Sequence, residues 1–278
     1  VFDLTRADPS LLHLVDEVVA ELLARSSRLL PDEVLLVGAH CRDILQSAFG
    51  HDFLLRVTSD IDLGLAMANW AAYDELAMAF PSAGNTGIRF RVADVTADLL
   101  PFGPVEDPPG TVTPASRREP MSVWGFTEVF AAAPSLRLPS AGTIRMPTAA
   151  GYAALKLAAW LDRSTYGEYK DAADIGAVLY WYSKSLDIEN RIYETSRGQE
   201  LLVQEKLDNA AAAARALGND IVTVIGTDRL AEIAGRWLTS PKHLLAYHMT
   251  VSNALDWPHS HDRRLALILA LERGLALS

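Results

Sequence analysis

Ser59-Asp60-Ile61-Asp62-Leu63 lies inside residues 54–67, a run whose apolar positions read as a β-strand. A strand sends successive side chains to opposite faces, so Asp60 and Asp62 project from the same one. Two carboxylates side by side on a rigid strand repel each other and call for a cation. Hard oxygen donors at this spacing suit Mg²⁺, which takes one or two carboxylates and completes its shell with substrate phosphates. The plain alternative is a pair of solvated acids at a strand end. A third acid, Asp98, sits in the apolar run Thr96-Ala97-Asp98-Leu99-Leu100, where an aspartate is unfavourable unless something uses it. Ligation beside Asp60 and Asp62 is such a use, since three carboxylates from two strands can hold two Mg²⁺ ions. Asp94 competes for that place, but its position at the Ala93-Asp94 turn gives it a simpler structural role.

The surrounding pattern alternates helix and strand up to Pro147. The expected elements are a helix over residues 9–30 with Ser10 as N-cap, a buried strand at 33–37, and a helix at 39–49. Next come a helix at 70–80, strands at 88–92 and 95–100 with Pro101 ending the second, a loop over 103–120, a helix at 126–133 and short strands near 136–138 and 143–146. Gly38 stands between strand and helix, where a tight turn offers free N–H groups and a positive dipole end to an anion such as phosphate. Ala39 permits close backbone approach there. Arg42, one turn in, either adds a cation there or is a surface arginine beside an ordinary strand–helix connection, and Ser59 offers a hydroxyl beside Asp60. From Thr148 on, the pattern is helical throughout, with segments at about 148–162, 171–185, 189–194, 201–217, 221–227, 228–238, 241–252 and 261–277, and Gly218 reading as a helix stop. The class is therefore α+β, a mixed sheet flanked by helices over 1–147 and an all-helical half over 148–278.

The helical half carries its own charged motif. Lys156 and Arg163 are seven apart and share a helix face, which either points two cations at a polyphosphate or forms a solvated surface. Asp171 and Asp174 follow as i,i+3 neighbours in Lys170-Asp171-Ala172-Ala173-Asp174. Arg117-Arg118 reads as a solvated loop pair, with contact to nucleic acid as the alternative.

Composition narrows the classes. Half of the 278 residues are hydrophobic, enough to bury a core, and the net charge of −10 argues against nucleic acid as the main ligand without a local basic patch. A single cysteine, Cys41, excludes an intramolecular disulfide and a multi-cysteine zinc site. No apolar run reaches the roughly 20 residues needed to span a bilayer, and no signal peptide is evident, so the expectation is a cytoplasmic protein with no membrane partner.

Strand–glycine–helix, then S-D-I-D-L, then the acid strand D-L-L-P-F-G, then K-L-A-A-W-L-D-R and K-D-A-A-D in a helical half, resembles the DNA polymerase β-like nucleotidyltransferase superfamily. The order is most similar to the bacterial nucleotidyltransferases related to the AbiEii toxins, which include the MenT toxins. The resemblance spans roughly residues 33–195 and implies the nucleotidyltransferase fold. It implies that Asp60, Asp62 and Asp98 bind Mg²⁺–NTP, that Lys156 contacts the triphosphate, and that Asp171 and Asp174 are the second helical motif. It further implies transfer of a nucleoside monophosphate from an NTP to an acceptor, with a tRNA 3′ end or a protein as acceptor and a cognate antitoxin as partner. One departure stands out: Gly38-Ala39-His40 replaces the Gly-Gly-Ser or Gly-Ser of many members, so a hydroxyl donor is missing. The alternatives are transfer to a small molecule such as an aminoglycoside, for which the acidic surface suits a cationic acceptor, and a non-catalytic binding or regulatory protein of the same fold.

Overall fold

The computed structural model describes residues 4–117, 119–251 and 254–277. The chain divides into two compact units. One comprises Leu4–Gly50 and Arg56–Thr148, and the other His51–Leu55 together with the chain from Ala149 on.

The first unit is α+β. Its six-stranded mixed sheet uses β1 (Val34–Val37), β2 (Asp60–Ala66), β3 (Arg89–Val92), β4 (Val95–Phe102), β7 (Ser135–Arg137) and β8 (Thr143–Arg145). Strand order is β3-β4-β2-β1-β8-β7. β2 pairs antiparallel with β1 and parallel with β4, and β3–β4 is an antiparallel hairpin. Every residue of β1 is buried, as expected for a Val/Leu strand covered on both faces. Helices α1 (His13–Arg25), α2 (Gly38–Ala48), α3 (Trp70–Met78) and α4 (Phe126–Ala132) complete the unit, and α1 buries Val15, Val18, Val19 and Leu22 at helical spacing. Asp16, on the same helix, accepts from the N–H groups of Ser140 (2.9 Å) and Ala141 (2.8 Å) and from the Ser140 hydroxyl (2.7 Å). The carboxylate thereby ties α1 to the β7–β8 turn.

Several expected boundaries move, each for a physical reason. The strand expected over 54–67 begins only at Asp60, because β1 and β4 offer partners no earlier. Upstream, Leu54 and Val57 are 78% and 90% exposed. Residues His51–Leu55 belong to the other unit, where the His51 and Phe53 rings pack against Tyr180 at 5.1 and 5.3 Å. Pro101 does not end β4, which pairs Pro101 with Leu65 and runs to Phe102. The Leu99 N–H donates toward β3, to the Ile88 carbonyl at 2.8 Å. Strand N–H groups alternate, so position 101 faces the same side, beyond the end of β3, where a missing donor costs no ladder bond. The expected 103–120 loop contains β5 (Thr111–Val112), paired with β6 (Met121–Ser122). Asp8, not Ser10, caps the first turn, a 3-10 segment at Pro9–Leu12. Arg117 is not simply solvated, for it donates to the carbonyls of Thr86 and Glu119 at 2.9 Å each. Its partner in the sequence motif, Arg118, lies outside the described residues.

The second unit is helical: α5 (Ala149–Arg163), α6 (Asp171–Lys184), α7 (Leu186–Glu194), α8 (Ser196–Gln204), α9 (Asn209–Thr239), α10 (Lys242–His248) and α11 (His261–Gly274). The helix expected over 201–217 is broken after Gln204, where Lys206 and Leu207 take positive φ. Glu205 in that break is almost fully buried between Arg215 (3.0 Å) and Arg273 (2.9 Å). α10 stops at His248, and Ser252, where it was expected to end, lies outside the described residues. Gly218 is no stop. It lies mid-helix, and a Cβ there would come within 2.7 Å of the Gly274 Cα on α11. The break in α9 falls instead at Gly226, whose φ of 75° and ψ of 168° no helix contains. Among the described residues no helix is long and apolar enough to cross a membrane.

Two predictions follow from this packing. Gly274→Ala forces α9 and α11 apart, and the overpacking cost of about 1–3 kcal/mol outweighs its helix-propensity gain of about 1 kcal/mol. Gly235→Ala, on the exposed face of α9 with open space around the added Cβ, keeps that gain and raises stability. Urea denaturation should move the two midpoints in opposite directions. At Asp16, burial raises the pKa, but the Ala141 and Ser140 donors outweigh it and hold the carboxyl below its usual value. Asp16→Ala should therefore cost about 1.5–3 kcal/mol at pH 7. A depressed pKa gives stability that is present above the unfolded value of about 3.9 and lost as pH falls through the folded one. The gap between wild type and variant should close in acid.

Candidate functional site

The β2 register builds the site. Pairing of β2 with β4 sets Asp62 opposite Asp98 and Asp60 opposite Thr96. Pairing of β4 with β3 sets Arg89 opposite Asp98. Paired residues share a face, so Asp60, Asp62, Asp98 and Arg89 stand on one side of the sheet. The Arg89 guanidinium forks onto Asp98, with Nε to Oδ1 at 2.7 Å and Nη2 to Oδ2 at 2.8 Å, and the same Nη2 reaches Asp60 Oδ2 at 3.0 Å. Asp60 also accepts from the Thr58 hydroxyl. That bond, helped by its own backbone N–H and by Arg89, outweighs burial and holds the Asp60 carboxyl below its usual pKa. The bonds and charge of Asp98, with Asp60 and Asp62 adding, drive the Arg89 pKa upward. The Asp98 side chain is mostly buried, while Asp60 and Arg89 are about one-third exposed.

Gly38 joins this cluster through space rather than charge. It opens α2 with φ 67°, and the register places Val37 opposite Asp62. A Cβ at Gly38 would lie on the Asp62 carboxylate and 2.7 Å from its Cβ. Any other residue would collide with the acid, so glycine is needed for both conformation and approach. The first N–H groups of α2 have no intrahelical partner, and Val37 supplies no side-chain cap. His40, in that first turn, has a buried Nδ1 without a hydrogen-bond partner, and burial pulls its pKa down. Ala39 is buried and Ser59 exposed. Arg42 is fully buried, its guanidinium donating to the Asp43 carboxylate (2.8 Å) and the Arg56 carbonyl (2.7 Å). These bonds anchor the chain entering β2. Asp94 sits exposed in the hairpin turn with φ 61° and keeps its structural role.

Among the described residues no group of three or more acids, histidines and cysteine forms a ready-made metal cage. In this cluster a guanidinium bridges two of the three carboxylates. Arg89 is not among the residues the acid motif picks out, yet a signal for it exists. A two-residue turn at Ala93-Asp94 forces the pairs 92–95, 91–96, 90–97 and 89–98, which puts an arginine beside Asp98.

The helical unit gathers the other expected residues. Lys156 on α5 contacts Asp174 at 2.7 Å and Asp171 at 3.4 Å, while Arg163 Nη1 bonds both Asp171 oxygens at 3.0 Å. The i,i+7 spacing on α5 meets the i,i+3 spacing in the first turn of α6, where the helix dipole also favours acids. The Asp171 and Asp174 side chains are 1% and 6% exposed and Lys156 15%. Two carboxylates this buried must be paired.

Lys156→Met should therefore cost about 3–5 kcal/mol, the usual loss when one partner of a buried ion network is removed. Lys170→Met, whose nearest acid is an exposed Glu168 at 3.9 Å, should stay within about 1 kcal/mol of wild type by the same denaturation assay.

No protein-family model and no curated protein sequence matches this chain.

Proposed function

We propose that this chain is a Mg²⁺-dependent nucleotidyltransferase that moves a nucleoside monophosphate from an NTP to an acceptor hydroxyl. The carrying observation is the Asp62–Asp98 register on adjacent parallel strands, with Asp60 on the same face and a glycine-opened helix N-terminus against Asp62. An all-oxygen donor set on one face suits Mg²⁺, and Gly38 leaves the Asp62 carboxylate the room that any side chain would fill. Asp60 and Asp62 would hold the ion and Asp98 would complete the set. When bound, the ion supplies charge stabilisation at the phosphoryl oxygens and lowers the pKa of the attacking hydroxyl. The chain's own groups do the rest. Asp98 orients the acceptor hydroxyl and takes its proton as the hydroxyl oxygen bonds to the α-phosphorus and the bond to the β-phosphate breaks, releasing pyrophosphate. The first N–H groups of α2, at Gly38, Ala39 and His40, receive phosphate oxygens, and the exposed Ser59 hydroxyl adds a donor. Lys156, neutralised by two buried carboxylates, holds the helical unit together in this scheme rather than meeting the triphosphate.

The acceptor class drawn from the resemblance is a tRNA 3′ end or a protein, with an antitoxin as regulator. A net charge of −10 favours a cationic small acceptor as the second reading. Incubation with labelled NTPs and Mg²⁺, in turn with total RNA, protein extract and an aminoglycoside, separates these. Label should enter one of the three pools, and absence of label from all of them would refute transferase activity. Asp62→Asn should lower transfer by more than the roughly 10–100-fold that loss of a mere outer-shell partner costs. Its metal-free melting temperature should be unchanged or higher, because one repelling charge is gone. Normal turnover with a large stability loss would make Asp62 structural.

A further inference from the structure

We propose that Arg89 is a resident counter-ion that yields its place to the divalent cation, so that metal binding is an exchange of one cation for another. The role rests on the transfer chemistry proposed above. Three carboxylates on one sheet face carry three negative charges, and one guanidinium bridges two of them. Nη2 alone serves both Asp60 Oδ2 (3.0 Å) and Asp98 Oδ2 (2.8 Å), so it occupies the space between two of the acids that would hold the ion. A guanidinium and a metal ion in that space repel each other, so the two compete.

Departure is open to Arg89. It stands on β3, the edge strand, and its side chain is 35% exposed. Lys156 in the helical unit makes the contrast, since it sits between two almost fully buried carboxylates with no such freedom. Arg89 therefore does two jobs. Without metal it keeps the acids from repelling one another, and it sets a threshold concentration below which the cation does not enter. Competition of this kind is a coupling free energy and acts equally in both directions.

The test measures Mn²⁺ affinity by electron paramagnetic resonance without nucleotide, with Mg²⁺ as competitor, on wild type, Arg89→Gln and Arg89→Lys. Arg89→Gln should bind metal at least about fivefold more tightly, the lower end of ordinary coupling. Its metal-free form should melt lower than wild type and gain more on Mg²⁺ addition. Arg89→Lys keeps the charge but loses the planar fork, and should tighten binding by a smaller factor. If Arg89→Gln does not fold, the Lys variant alone decides by the same direction of change. Equal or weaker metal affinity in the variants overturns the exchange and leaves the metal site standing. Absence of metal binding in every form overturns both the exchange and the transferase proposal.

Discussion

Like charges on adjacent strands are the constraint around which the first unit is organised. The β2–β4 register sets Asp62 beside Asp98, and the β2 period adds Asp60. Nothing in sheet formation rewards this arrangement, since each acid prefers water and each repels the others. The arrangement persists because the neighbouring pieces accommodate it. The β3 hairpin brings a guanidinium into register, Thr58 donates to Asp60, and a glycine at the end of β1 vacates the space Asp62 needs. Local choices that are costly one by one are consistent together, as expected where a fold serves a site.

The two ion networks differ in a way that bears on their roles. Around Arg89 the cation is one-third exposed and bridges two acids, so the cluster keeps access to solvent. Around Lys156 two cations meet two buried acids, and the charges cancel. A cancelled, buried network resists removal of any member but gains little from a ligand. An accessible one leaves its members within reach of solvent.

Much of the fold was legible where periodicity and turn chemistry agree: the buried β1, the strand–glycine–helix step, the Ala93-Asp94 turn and the helical character beyond Thr148. Three of the failures share a cause, since each depended on a partner distant in the chain. The apolar residues of 54–57 looked like strand but have no neighbouring strand to pair with. Pro101 looked like a terminator, but its missing donor faces the β3 side beyond the last β3–β4 pair. Gly218 looked like a helix stop, but its missing side chain admits α11. At the site, the acids announce themselves by standing in apolar strands. Arg42 and Lys156 illustrate the converse, because charge on a helix does not reveal whether it faces solvent or a buried carboxylate.

The His51–Leu55 excursion means that neither unit is a single continuous length of chain. During synthesis the sheet strands leave the ribosome first, but His51 and Phe53 lack the ring they both pack against until Tyr180 appears. That residue is about 130 positions later, and at about 5–20 residues per second the wait is roughly 6–26 seconds. Over that interval the first unit must form β2 with its entering segment undocked. A fragment cut at residue 148 would carry two aromatic side chains that belong to the missing half, and the helical half expressed alone would lack the rings that cover Tyr180.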